Sequence, residues 1–407
     1  MCHYLGGGLH GRQKRVKAQS ESSKSVVNSV LISREMPVFP GFLEIIRVVI
    51  NKHIKTKEAF FMEDYISTIK VVRNSLSNDQ KWKTRYDRYM TNLTDEKLER
   101  FAKAQKQFSV PAPFHLYMRL STAVNECSSI RTYFELRFHG QSVAEILVYN
   151  DLDKEVFTAI KAPSNIIKTL KATGMNIEAE KILQYHCECY NESNIDQWLS
   201  WHSEQAKDFR KIYLDLENKI QSDSAVKKAL GQPEHDMECE LLKNYSQKSS
   251  AGKEILNIQP VMMGNTGARF QMPTAIKAST AKNGTANIEY SNSKHSGGGI
   301  DILARMGSGK GTKLAVLELK DSYSKSEPPE KVMHQAVAYA TFIRELLKSD
   351  CGEKWWKFFG FGGNIPQKLE IKAIVVMPYD ANAKTNFGGM EPVSYTHLRA
   401  HETSLHL

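Results

Sequence analysis

The amino-acid sequence predicts two regions of different class. The first is a mostly helical α+β N-terminal domain with one β-hairpin. The second is an α/β domain ordered helix, three strands, helix, strand (αβββαβ). Three observations carry this. Apolar residues in the first half recur at helical spacing except over residues 131–149, where they alternate. Gly231-Gln232-Pro233 interrupts the pattern and predicts a domain boundary. Beyond it, short apolar runs separated by Gly-rich turns lead into a long helix opened by prolines.

Residues 1–35 hold a Gly triplet, a basic run (Arg12, Lys14, Arg15, Lys17) and a Ser-rich stretch, which predict a disordered arm or an incorrect start with Met36 as the alternative. Residues 36–230 form the expected N-terminal domain, for which position alone suggests target or partner recognition. Phe42, Ile45, Ile46, Val49 and Ile50, then Phe60, Phe61, Tyr65, Ile66 and Ile69, predict two helices. A further helix is expected over residues 95–108, ended by Val110-Pro111-Ala112-Pro113. Tyr133–Phe138 alternates, His139–Ser142 turns and Val143–Val148 returns, giving the hairpin. Ser164–His186 and Asn194–Ile220 are helical again. Trp198, Trp201, Ala206, Phe209 and Tyr213 form an apolar stripe that reads as core rather than a base-stacking platform.

Residues 231–392 form the second expected domain. Asp236–Ser246 is helical, Ile255–Met263 and Phe270–Ile276 are extended, and Gly297–Gly299 gives a flexible lead into a strand over Ile300–Ala304. Gly307–Gly311 turns the chain into a strand over Leu314–Leu319. Glu327-Pro328-Pro329-Glu330 opens a helix to Leu347, with Pro in the first turn where its missing N–H costs little. Ile371–Met377 is a last strand. Residues 393–407 begin VSYTHLRAHET, which resembles a translated sequencing adapter. This predicts that the natural chain departs from the sequence near Pro392 and that this segment lies outside the fold.

Hydrophobic residues are 41% and charged residues 25% of the 407, an ordinary globular balance that excludes a fibrous or wholly disordered chain. No run approaches the ~20 apolar residues of a membrane span, and no secretory h-region is visible, so a cytoplasmic location without membrane contact is expected. The six cysteines form no paired framework, and His186, Cys187 and Cys189 lack the spacing of a zinc site. The net charge of +10 favours a polyanionic partner such as nucleic acid.

The chemistry concentrates in two runs. Asp301 stands in Ile300-Asp301-Ile302-Leu303, and Glu318 and Lys320 stand in Val316-Leu317-Glu318-Leu319-Lys320. Strand period two places Glu318 and Lys320 on one face, and a hairpin would set Asp301 across from Glu318. Carboxylates flanked by Leu, Ile and Val are costly to bury and repel one another unless a cation or a shared proton holds them. Mg²⁺, a hard ion that takes oxygen ligands, answers that need, with Mn²⁺ as a possible substitute. The plainer reading of the same residues is a surface hairpin with ordinary salt bridges.

The runs GGGIDILAR, LAVLELKD and HQAVAYA resemble successive motifs of the PD-(D/E)XK nuclease superfamily over about residues 231–380. The resemblance implies a restriction-endonuclease-like αβββαβ fold and Mg²⁺-dependent hydrolysis of phosphodiester bonds. DNA is the expected substrate, RNA is not excluded, and a restriction or phage-defence role by a possible homodimer is implied. Asp301 and Glu318 match metal ligands, Lys320 matches the lysine that assists the attacking water, and Gln335 matches a glutamine several branches carry near the site. An acidic residue on the first helix often completes the metal site, here Glu238 or Glu240, with Glu238 preferred. Ile300 replaces the family's usual Pro.

Two rival readings remain. One is a nucleic-acid-binding or interaction protein on a catalytically inactive nuclease fold, for which Trp355, Trp356, Phe358, Phe359 and Phe361 could supply a surface, although core packing is the plainer account. The other is a P-loop-like nucleotide-binding protein. Gly307-Ser308-Gly309-Lys310-Gly311-Thr312 resembles half of a phosphate loop but lacks its first Gly, at Ala304, and is not followed by a helical pattern.

Overall fold

The computed structural model describes residues 57–92, 94–95, 110–118, 133–148, 156–187, 197–230, 233–246, 258–261, 268–280, 286–290, 298–320, 329–377 and 396–399. The helix expected from Phe42 to Ile50 lies outside these, as does all but the first residue of the one expected over 95–108. Helix α1 spans Lys57–Asn78 and buries Tyr65, Thr68, Val72 and Leu76 on one stripe. Asp79 Oδ1 accepts the Lys81 N–H at 2.9 Å at the start of α2, Lys81–Asn92, which buries Trp82, Tyr86 and Tyr89.

A six-stranded sheet follows. Strand β1 is His115–Met118, β2 Tyr133–Phe138, β3 Gln141–Val148 and β4 Val156–Ile160. The expected hairpin is β2–β3, but its turn is the two residues His139 and Gly140, with φ of +45° and +73°. Two left-handed positions in succession match the twist of the flanking strands. Helices α3 (Ser164–Ala172) and α4 (Asn176–Tyr185) cover the sheet, and the two-residue β5, Leu199–Ser200, ends one edge. Helix α5 begins at Glu204 because Ser203 Oγ caps it, accepting the Ala206 N–H at 3.2 Å. Trp198 and Trp201 therefore flank β5 rather than sit on the helix, yet the whole stripe is buried as core. Helix α5 ends at Ser222 and α6 covers Ser224–Ala229.

Helix α7 spans Pro233–Tyr245, followed by β6 (Ile258–Pro260), β7 (Arg269–Phe270), the β8–β9 hairpin (Ile276–Thr280 and Ala286–Tyr290), β10 (Ile302–Met306), β11 (Lys313–Leu319), α8 (Pro329–Leu347), α9 (Gly352–Phe358) and β12 (Glu370–Val376). The second sheet runs β12-β11-β10-β6, with β10 antiparallel to both neighbours and β11 parallel to β12 across the α8 crossover. Thr396–Arg399 (β13), expected to lie outside the fold, pairs antiparallel with the outer edge of β12. An edge strand offers unpaired backbone groups to any extended segment within reach.

The chain is thus mixed α/β, and residues 43–407 form one compact unit. The packing runs across Gly231. Strand β7 pairs in parallel with β1, joining Tyr117 to Arg269 and Met118 to Phe270. Helix α1 packs on α8, where Thr68 Oγ1 lies 2.7 Å from His334 Nδ1 and Arg73 pairs with Glu345 at 3.0 Å. The glycine lead before β10 also differs from expectation. Gly298 N–H donates to Ile276 O at 2.8 Å, and Gly299 bridges Pro273. A Cβ on Gly298 would stand 2.2 Å from the Tyr339 hydroxyl, so the missing side chain serves close approach rather than flexibility.

The hairpin turn docks on α7. His139 Nε2 lies 2.5 Å from Glu217 Oε2 on α5, and Nδ1 bonds Asp236 on α7. Burial pulls this imidazole toward the neutral form, but the two carboxylates outweigh it and raise its pKa to about 9. A raised pKa means stabilisation that is complete below the unfolded value of about 6.5 and disappears as pH rises through 9. His139→Asn, which tolerates the left-handed turn, should therefore cost on the order of 1–3 kcal/mol near pH 6 and little near pH 10. Urea unfolding at both pH values measures this, and an equal cost at both would reject the charged bridge. Gly140→Ala should also destabilise, by about 2 kcal/mol or more. Its Cβ would meet His235 Cβ at 2.0 Å in a backbone conformation unsuited to alanine.

Candidate active site

Antiparallel pairing sets Ile302 opposite Leu317, so the next step along the hairpin brings Asp301 to Glu318. Asp301 lies in a bend one residue before β10 rather than in the strand. The bend turns its carboxylate inward, where Oδ2 accepts the Leu319 N–H at 2.8 Å. Strand β11 is covered on both faces, and Glu318 is only 4% exposed within it. Lys320 follows the strand end, its backbone N–H held by Val376 O at 3.0 Å. Its Nζ stands 3.8 Å from Glu318 Oε1 and 3.6 Å from Glu234 Oε1.

Helix α7 supplies two further carboxylates. Glu238 is 2% exposed, with the Tyr117 hydroxyl donating to Oε1 at 3.1 Å and His235 Nδ1 at 3.3 Å from Oε2. Glu240, the alternative, is exposed and paired with Lys227, turned away from this group. Glu234 was not among the residues singled out from sequence; the acidic first turn after Pro233 is the one signal that could have found it.

The electrostatics tie these groups together. Burial raises the Asp301 pKa to about 7 against the opposing Leu319 N–H, with Glu234 and Glu238 raising it further and Lys320 lowering it. Several carboxylates thus share one neighbourhood with the Lys320 ammonium. On α8, Gln335 is buried and donates to Ala278 O at 2.9 Å, while its Oε1 has no hydrogen-bond partner among the described residues. Tyr339, one turn on, reaches the same carbonyl at 3.3 Å. Burial pushes the Tyr339 phenol up, and Glu318 and Asp301 push it further, which sets this face of α8 beside the two carboxylates. Sequence reasoning missed Tyr339 because an aromatic on a buried helix carries no signal of its own.

All the candidate ligands offer oxygen, the donor type Mg²⁺ and Mn²⁺ prefer, and burial, with Glu234 and Glu238 adding to it, holds the Asp301 carboxyl above its ordinary range. In donor chemistry the site fits such an ion. Among the described residues, however, no three His, Cys, Asp or Glu side chains gather closely enough to form a metal-binding group.

The other sequence features resolve differently. Gly309–Gly311 is a single 3-10 turn that runs straight into strand β11, so the helix N-terminus that a phosphate loop requires does not follow it. Trp355, Trp356 and Phe359 are buried, and Phe358 and Phe361 pack against the same core. Cys187 is buried with Leu147, Ala159 and Trp198, and Cys189 lies outside the described residues. No helix among the described residues is long and apolar enough to cross a membrane.

No protein-family model, curated protein or solved structure matches this chain.

An Asp whose pKa is raised on folding weakens the fold once it ionises, so the cost grows from about pH 4 and is complete above about 7. In EDTA near pH 8, Asp301→Asn should therefore melt at or above the wild-type temperature, the amide oxygen still accepting the Leu319 N–H. Saturating Mn²⁺ should raise the wild-type melting temperature and leave that of Asp301→Asn unmoved. Glu240→Gln should respond like wild type. A thermal melt series with and without Mn²⁺ decides, and an equal rise in Asp301→Asn would remove Asp301 from the ligand set.

Proposed function

We propose that the chain is a metal-dependent nuclease that hydrolyses phosphodiester bonds, with DNA as its substrate and Mg²⁺ as its cofactor. The observation that carries this reading is the meeting of Asp301, Glu318 and Lys320 at the β10–β11 ends, beside Glu238 of α7. The succession α7, β6, β10, β11, α8, β12 also follows the αβββαβ order of a restriction-endonuclease-like domain, with β7–β9 inserted. The net charge of +10 suits a polyanionic substrate.

Asp301 and Glu318, with Glu238, would hold the ion. A bound Mg²⁺ supplies Lewis-acid polarisation of a phosphate oxygen and lowers the pKa of a coordinated water. Lys320, beside Glu318, can orient the attacking water by hydrogen bonding and offset negative charge growing on the phosphoryl oxygens. Gln335 Oε1, buried and without a hydrogen-bond partner among the described residues, could accept from a water or a substrate donor.

A second reading, a nucleic-acid-binding protein on an inactive fold of this type, draws on one observation. The carboxylates do not gather to ligation spacing among the described residues.

Plasmid nicking separates the two. Wild type should nick with Mg²⁺ and not in EDTA, while Asp301→Ala and Lys320→Ala should each lose at least about 10²-fold in rate with unchanged circular dichroism. Folded wild type that retains DNA in a gel shift yet cuts neither DNA nor RNA with Mg²⁺ or Mn²⁺ would establish the second reading instead.

A further inference from the structure

Glu238 is held from the first sheet. Tyr117 on β1 is 2% exposed and donates its hydroxyl to Glu238 Oε1 at 3.1 Å, while His235 Nδ1 lies 3.3 Å from Oε2. Tyr117 is itself clamped. It pairs across the ladder with Glu135 on β2 and Arg269 on β7. The Arg137 guanidinium lies 4.2 Å over its ring, fixed by Glu135 at 2.8 Å and Gln271 at 2.9 Å. Such a ring has little freedom, so its hydroxyl defines a fixed point for the carboxylate.

A carboxylate oxygen has two acceptor directions. One donor on each oxygen still leaves Glu238 a lone pair per oxygen for a cation, while fixing the rotamer that presents it. Donors outside a metal's ligands commonly set ligand orientation and basicity in this way. We propose that Tyr117, together with His235, is a positioning residue for Glu238, so that the six-stranded sheet completes the metal site of the second sheet. This rests on the nuclease reading, in which Glu238 is a metal ligand.

The test is Mn²⁺ binding to the full chain, read from the free-Mn²⁺ electron paramagnetic resonance signal, with melting temperature in EDTA as the structural control. Tyr117→Phe should bind Mn²⁺ about 10-fold more weakly than wild type, with its EDTA melting temperature within a few degrees. Tyr213→Phe, which removes a buried hydroxyl with no hydrogen-bond partner among the described residues from the Phe114–Phe138–Phe209 cluster, should bind as wild type does. If Tyr117→Phe fails to fold, His235→Ala decides, since that side chain is 40% exposed; a several-fold loss of affinity is expected. Wild-type affinity in a folded Tyr117→Phe, or in His235→Ala where only that variant folds, overturns the positioning role and leaves the nuclease reading standing. Absence of saturable Mn²⁺ binding in wild type overturns both.

Discussion

A histidine held in a left-handed turn between two carboxylates fixes how α7 meets the six-stranded sheet. His139 bridges Glu217 of α5 and Asp236 of α7, and the adjoining Gly140 leaves room for His235 and nothing more. Everything that α7 contributes follows from that seating. With Asp236 engaged on one side, Glu234 and Glu238 fall toward Lys320 and Asp301, and Met237 and Leu241 fall into the apolar cluster beneath the second sheet. A small rotation of α7 would move its carboxylates and its apolar contacts together.

The second constraint is electrostatic. Glu238 and Glu318 are buried among apolar neighbours, where an isolated carboxylate is strongly disfavoured. Hydrogen bonds from Tyr117 and the nearby Lys320 ammonium offset part of that cost. The rest shows in Asp301, whose carboxyl resists ionisation. Burial is the largest cause of that shift, with Glu234 and Glu238 adding to it, and under the proposed function a bound cation would compensate for both.

Much of this arrangement is legible in the sequence, and the limits have physical reasons. Val316–Leu319 and the Pro-opened helix to Leu347 declare themselves because burial on both faces demands long apolar runs. Glu318 and Lys320 stand out against them. Glu238 could be preferred to Glu240 only weakly, since helical spacing does not say which side meets a partner; the structure gives Glu240 to Lys227. Strands β5 and β7, two residues each, are too short to carry a period, and β1 is only four. The pairing of β1 with β7 joins segments more than a hundred residues apart, as with Tyr117 and Arg269. Tyr117 could not be connected to Glu238 for the same reason. The glycines before Asp301 read as a flexible lead because composition cannot distinguish freedom from the close fit beneath Tyr339.

Strand β7 crosses from the second half of the chain to complete the first half's sheet, and α1 returns to cover α8. Many enzymes diversify by exchanging whole recognition modules through recombination, which requires that a functional unit be contiguous in the gene. Here the stretch bearing Asp301 and Glu318 is stitched to its neighbour in both directions. A crossover near codon 231 would separate β7 from β1 and Glu238 from Tyr117 in one event. For an architecture of this kind, change is open to gradual substitution and closed to modular exchange.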